Sequence, residues 1–186
     1  MVRKENQRIM LTKRLIQEAL LILLRTADIS KISIRELCDK AGINRTTFYN
    51  HYGSQYDVLS ELSYHYLHDI EEALTSATAL DREEVHRRVA FVFQYIEAHI
   101  ELSRILINSS VDPDFPIKLF SISRVNELFD EQLPKEMDAD LKRAASTYAV
   151  SGSYRLIQEW INQDQRVSAE KEAELILTLS GKLCRS

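Results

Sequence analysis

Proline is absent from the first 112 residues of this 186-residue chain, and its three prolines (Pro113, Pro116, Pro134) share one 22-residue window. With only four glycines besides, few points force the backbone to turn. Apolar residues recur at spacings of three and four nearly everywhere outside that window. No stretch longer than a few residues alternates with period two. The expectation is an all-α protein of about nine helices.

Composition narrows the class. Hydrophobic residues make up 45% and charged residues 28%, enough for a folded core. The two cysteines, Cys38 and Cys184, sit in helical sequence and make no disulfide framework, so both read as reduced thiols. The longest apolar run, Ala19 to Leu24, lies between Glu18 and Arg25. It is far short of the ~20 residues a membrane span needs. Nor does it read as a signal peptide, because no small-residue cleavage site follows. A cytoplasmic protein with no membrane partner is expected.

Charge is lopsided. Residues 1–52 carry a net +5 and the remainder −9, within a formal net charge of −4. A basic head on an acidic body suggests that only the head meets a polyanion. A solvated, merely uneven surface is the other reading.

Local signals place the helices of the head. A first helix is expected over about 7–27, with Ile16, Ala19, Leu20, Leu23 and Ala27 on one stripe. Ser33 with Glu36 makes a capping box for a short second helix. Gly42 ends that helix in the left-handed conformation, and Asn44 caps a third over about 45–52. Gly53 ends the third, and Ser54 caps a long fourth reaching about Ala77. Five further helices are expected at 83–98, 100–108, 116–132, 138–162 and 169–184.

Two short helices meeting at Ala41-Gly42-Ile43 form a helix-turn-helix. Ile34, Leu37, Ile43 and Phe48 are placed to pack it. The start of the third helix carries Arg45, Thr46 and Thr47, of a size and polarity to reach base edges in a major groove. Tyr49, Asn50 and His51 follow, placed for phosphate contacts.

Here the sequence resembles the TetR family of bacterial transcription regulators. The resemblance rests on Ser33-Ile34-Arg35-Glu36-Leu37, Ala41-Gly42-Ile43, Thr47-Phe48-Tyr49-Asn50-His51-Tyr52 and Val58-Leu59, within residues 9–62. It implies a DNA-binding domain over 8–68 and a helical ligand-binding and dimerisation domain over 69–186. The residues it points to on the DNA side are Ser33, Arg35, Asn44, Arg45, Thr46, Thr47, Tyr49, Asn50, His51 and Gln55. Arg35, Tyr49 and His51 contact phosphate on this view, and Arg45 and Thr47 contact bases. Two positions depart from the family. Gln55 stands where a lysine usually touches phosphate. Asp28 stands where a glycine usually precedes the second helix, and is expected to keep the left-handed turn. Bland alternatives stay open: Arg35 pairing with Asp39, Tyr49 in the core, His51 and Arg45 simply solvated.

The body diverges more in this family, which uses it for dimerisation and ligand sensing. Ala145, Ala149, Gly152, Leu156 and Trp160 on one helix, with Ile176, Leu179 and Leu183 on the last, suggest a four-helix dimer interface anchored by Trp160. Packing within one subunit is the alternative. The Trp160-Ile161-Asn162-Gln163-Asp164 stretch resembles a branch that includes regulators of dihydroxyacetone kinase operons. Tyr95, His99, Asn108, Asn126, Tyr148 and Tyr154 are candidate effector contacts.

The expected function is a homodimeric, small-molecule-responsive repressor that binds a palindromic operator in double-stranded DNA. The alternative is a co-regulator or activator acting through a protein partner. An enzyme is disfavoured, because no nucleophile–base pair, phosphate loop or metal-ligand spacing stands out. No cofactor is expected. His65 and His68 lack the companion ligands a metal site needs.

Overall fold

Four caps decide where the first helices begin and end. The structure, a computed structural model, describes residues 2–75, 82–108, 112, 114–121 and 136–183. Among these are nine α-helices, one 3-10 turn and no strand. Ser33 opens α2 (Ile34–Ala41): the Glu36 N–H donates to its hydroxyl at 3.2 Å, and its own N–H donates to the Glu36 carboxylate at 2.9 Å. Gly42 closes α2 at φ +67°, where a side chain would be strained. Asn44 opens α3 (Arg45–Tyr49), its side-chain oxygen accepting from the Thr47 N–H at 2.8 Å. Before α4 (Gln55–Thr75), the Asp57 carboxylate accepts from the N–H groups of Gly53 and Ser54 at 2.8 and 2.9 Å.

α1 (Val2–Leu24) starts earlier and stops sooner than its sequence pattern suggests. After Leu24 the chain leaves the helix in turns, with the Ala27 N–H on the Leu23 carbonyl at 3.1 Å. Asp28 corrects a second expectation. Its φ of −66° and ψ of 146° are extended, not left-handed, and its side chain caps the 3-10 turn Ile29–Lys31. A carboxylate that accepts from the Ser30 N–H and hydroxyl has no need of the conformation a glycine supplies.

The chain divides into two compact units, Met1–Tyr66 and Leu67–Ser186. In the first, α1 packs on α2 and α2 on α3. Ile16, Ala19 and Leu20 of α1 meet a core that includes Leu37, Phe48, Val58 and Leu59, all buried. Burying a side chain the size of Phe or Leu contributes about 1.5–3 kcal/mol, and this small core collects several.

The second unit contains α5 (Arg82–Ala98), α6 (Ile100–Ile107), α7 (Phe115–Phe120), α8 (Ala139–Asn162) and α9 (Ala169–Leu183). α9 packs along α5 and against α8, while α6 is held between α5 and α8. Three side chains tie α6 to α8: Arg104 donates to the Ile161 carbonyl at 2.8 Å, and Tyr154 and Gln158 donate to the Ile107 carbonyl at 2.6 and 2.9 Å. The last two satisfy a carbonyl that the end of α6 leaves without a helical partner. Of the helix expected over 116–132, α7 covers the start and ends at Phe120 with Ser121 as its cap, and residues 122–132 lie outside the described residues. No described helix is long and apolar enough to cross a membrane.

Candidate nucleic-acid interface

α3 has only five residues, too few to be stable alone. Phe48 holds it down with no exposed surface. Burying position 48 turns the opposite face outward, and on it Arg45, Thr46, Tyr49 and Asn50 are exposed. Thr47 and His51 flank that face, half-buried. Tyr49 is 58% exposed, which removes the core alternative for it. The arrangement is a short polar helix edge with a cation at its start and a phenol one turn on, of a kind that enters a DNA groove.

Around this face, several expected residues have work within the protein. Both the Ser33 hydroxyl and the Asn44 side-chain oxygen are engaged in capping. Arg35 makes a 3.7 Å pair with Asp39, with both side chains about three-quarters exposed. Such a pair contributes at most about 0.5 kcal/mol and yields easily to a phosphate. Gln55 points its amide N–H at the Ile29 carbonyl, 3.3 Å away, and thereby ties α4 to the 3-10 turn. That donor is engaged inside the protein. Tyr56, the next residue, is 48% exposed and was not among the expected contacts. Its signal was available: an aromatic in the first turn of α4, two residues after the capping Ser54 and out of phase with the buried Val58.

Burial pushes the Cys38 thiol up, although the neighbouring Arg45 charge opposes this. The thiol is therefore protonated and unreactive at neutral pH.

In the second unit, the five described candidate effector contacts do not converge. Tyr95 lines a groove of about 630 Å³ with Asp69, Ala73, Arg87, Arg88 and Phe91. Its hydroxyl donates to Asp69 at 2.7 Å, and the His99 ring lies 4.2 Å from its own, tilted by 37°. Asn108 lies instead in a polar cleft with Gln158 and Asn162, exchanging amide hydrogen bonds with Asn162 at 2.9 and 3.1 Å. Tyr154 is occupied by Ile107, and burial raises its hydroxyl to about 12. Tyr148 is 67% exposed, and Asn126 lies outside the described residues.

The expected dimer residues also separate. Ala149, Trp160 and Ile176 are buried within the chain, so Trp160 is corrected from interface anchor to core residue. Its ring lies 5.5 Å from that of Phe93, and its indole N–H donates to the Val167 carbonyl at 2.9 Å. Ala145 and Leu156 are half-buried, Gly152 is open to solvent, and Leu179 is 41% exposed. The side chain of Leu183 lies outside the described residues. Among the described residues there is no group of three or more His, Cys, Asp or Glu placed to hold a metal ion. His65 pairs with Glu61 at 3.6 Å.

A helix-turn-helix with an outward polar edge, followed by a second unit and with only helices among the described regular elements, defines a class of transcription regulator. The model of the TetR regulators' C-terminal region, described as "Transcriptional regulator C-terminal region", matches residues 83–182, more than half of the chain. The chain belongs to the TetR family of transcriptional regulators. No curated protein matches it by sequence. Among solved structures it is similar to a TetR transcriptional regulator from Streptococcus agalactiae 2603V. That match has a TM-score of 0.73 and 22% identity, covering 97% of this chain and 99% of the other. It is also similar to the dihydroxyacetone kinase operon activator DhaS, with a TM-score of 0.60 and 19% identity, covering 94% and 96%. At these identities the likeness is one of fold.

Proposed function

We propose that this protein is a homodimeric, small-molecule-responsive repressor that reads a palindromic operator with α3. The observation that carries the reading is the orientation of α3. Phe48 is fully buried, and Arg45, Thr46, Tyr49 and Asn50 stand outward on the other face. Arg45 and Thr47 read base edges; Tyr49, His51 and Arg35 grip phosphate. Tyr56 joins them as a phosphate donor in place of Gln55.

One five-residue helix contacts only a few base pairs. Two copies related by a two-fold axis read half-sites about 34–36 Å apart, which makes dimerisation part of specificity. For the interface, one stripe on α8 supports the reading: exposed Leu141, Tyr148 and Gly152, with half-buried Ala145 and Leu156, at spacings of three and four. Leu175 and Leu179 on α9 are exposed as well. The effector is assigned to the groove beside Tyr95, where the Phe91 ring is 54% exposed. An effector that favours one separation of the two heads shifts the population away from the operator-bound form.

The test is selection of the purified protein on random DNA duplexes at two salt concentrations, with sequencing of the retained fraction. An enriched palindrome is expected. Retention without enrichment, governed only by salt, overturns the reading in favour of a co-regulator that acts through a protein partner.

A further inference from the structure

A carboxylate away from the reading edge gathers contacts from three elements. The Lys13 ammonium of α1 lies 3.0 Å from both oxygens of Glu61 on α4. The Tyr52 hydroxyl, just past α3, adjoins the same carboxylate and accepts from the Gln17 amide of α1 at 3.3 Å. Lys13 also stands 5.3 Å over the Tyr52 ring. His65, one turn further along α4, is 3.6 Å from Glu61. Desolvation alone would raise the Glu61 carboxyl. Its partners, Lys13 first, outweigh burial and hold it below the usual carboxylate range, so it is charged at neutral pH.

α3 needs such an anchor. Phe48 fixes how deeply the helix sits, but apolar packing is non-directional and leaves the roll about the helix axis soft. Tyr52 lies one turn beyond Phe48, is 5% exposed, and has its N–H on the Phe48 carbonyl at 3.0 Å. A directional hydrogen bond at the end of that ring acts as a lever on the roll. Base contacts tolerate errors of only about 0.5 Å and 10–20°, and phosphate contacts tolerate more.

We propose that Glu61 is a positioning residue for the reading helix: by holding Lys13 over the Tyr52 ring and backing the hydroxyl that Gln17 of α1 engages, it sets the roll of α3 and hence the discrimination between operator and other DNA. The inference rests on the DNA-reading function proposed above and adds a residue that acts through Tyr52.

The test compares wild type, Glu61→Met, Glu61→Gln, Tyr52→Phe and the Glu61→Met/Tyr52→Phe double variant. Each is measured on the selected operator, on a scrambled duplex and by thermal unfolding. Glu61→Met is expected to lower operator affinity at least tenfold, while scrambled-duplex affinity holds or rises because a negative charge is gone. Glu61→Gln, which keeps an acceptor for Tyr52, loses less. Tyr52→Phe loses discrimination as Glu61→Met does, and the double variant loses no more than either single one. An equal loss on both duplexes, an equal gain on both, or additive losses in the double variant overturns the inference. If Glu61→Met does not fold, Tyr52→Phe with unchanged discrimination overturns it alone. A wild-type protein that prefers no operator removes the parent reading as well, and that result is recognisable before any variant is made.

Discussion

Phe48 and Tyr49 are adjacent in sequence and opposite in environment: one is fully buried, the other 58% exposed, and their rings meet edge to face at 5.5 Å and 84°. A core side chain and a solvent-facing one thus stand a single peptide step apart. Tyr49→Ala is expected to weaken binding to operator and scrambled DNA alike by about tenfold, the ~1.5 kcal/mol of a hydrogen bond to a charged group. Its melting temperature should stay near that of wild type. Phe48→Ala should instead cost about 3–5 kcal/mol of stability by leaving a cavity. Binding titrations and denaturant melts of the two variants read this contrast. A Tyr49→Ala loss confined to some operator sequences would show that Tyr49 touches bases.

Trp160 makes the same distinction in the second unit. Its ring packs on Phe93, its indole N–H is satisfied by Val167, and the Arg166 guanidinium lies 6.0 Å from the ring centre. Trp160→Ala is therefore expected to cost about 3–5 kcal/mol in a denaturant melt. Dissociation of an otherwise well-folded dimer, with no loss of stability, would return Trp160 to a subunit interface.

The caps of the head were legible because each is a short-range rule. Ser33 needs only Glu36 three residues on, and Gly42 and Asn44 act on their immediate neighbours. Trp160 was not legible because an apolar stripe on α8 does not say which of two partners covers it. The same chain buries Trp160, against Phe93 of α5, and Ala149, leaving Tyr148 and Gly152 open and Ala145 half-buried. The roles that Asp28 and Gln55 have within the fold were hidden for another reason. Each was assigned by the residue it replaces, yet each has its own side-chain chemistry: one caps a 3-10 turn, the other holds the Ile29 carbonyl. The Lys13–Glu61 contact joins positions 48 residues apart, and no local pattern announces it.

Glu172 on α9 is 6% exposed, and burial alone pushes its carboxyl above the ordinary glutamate value of 4.5. A raised folded-state value means the folded form holds its proton more tightly than the unfolded chain. Between the two values stability falls as pH rises, and at neutral pH the buried carboxylate is a net cost. Glu172→Gln is expected to raise the melting temperature at pH 7 by about 2–4 °C, ~1 kcal/mol at this chain length. The advantage should shrink as pH is lowered towards 4.5. Melts across that range check it, and an advantage independent of pH would show that the gain comes from packing rather than from the proton.

The exposed stripe of α8 gives the dimer its sharpest test. Tyr148 stands at its middle, 67% exposed, between Leu141 at 58% and Gly152, where an added Cβ would meet nothing within 4 Å. Small residues on either side of a projecting phenol let a symmetry-related helix approach closely and receive the ring. Tyr148→Glu places a carboxylate in that contact. An unpaired buried charge costs about 3 kcal/mol or more, which raises the dimer dissociation constant more than a hundredfold. The monomer should keep its melting profile, since in the single chain Tyr148 faces solvent. Sedimentation velocity at micromolar concentration should show the mass halved, and affinity for the full palindrome should fall towards that for one half-site. An unchanged sedimentation coefficient would move the interface off this face of α8.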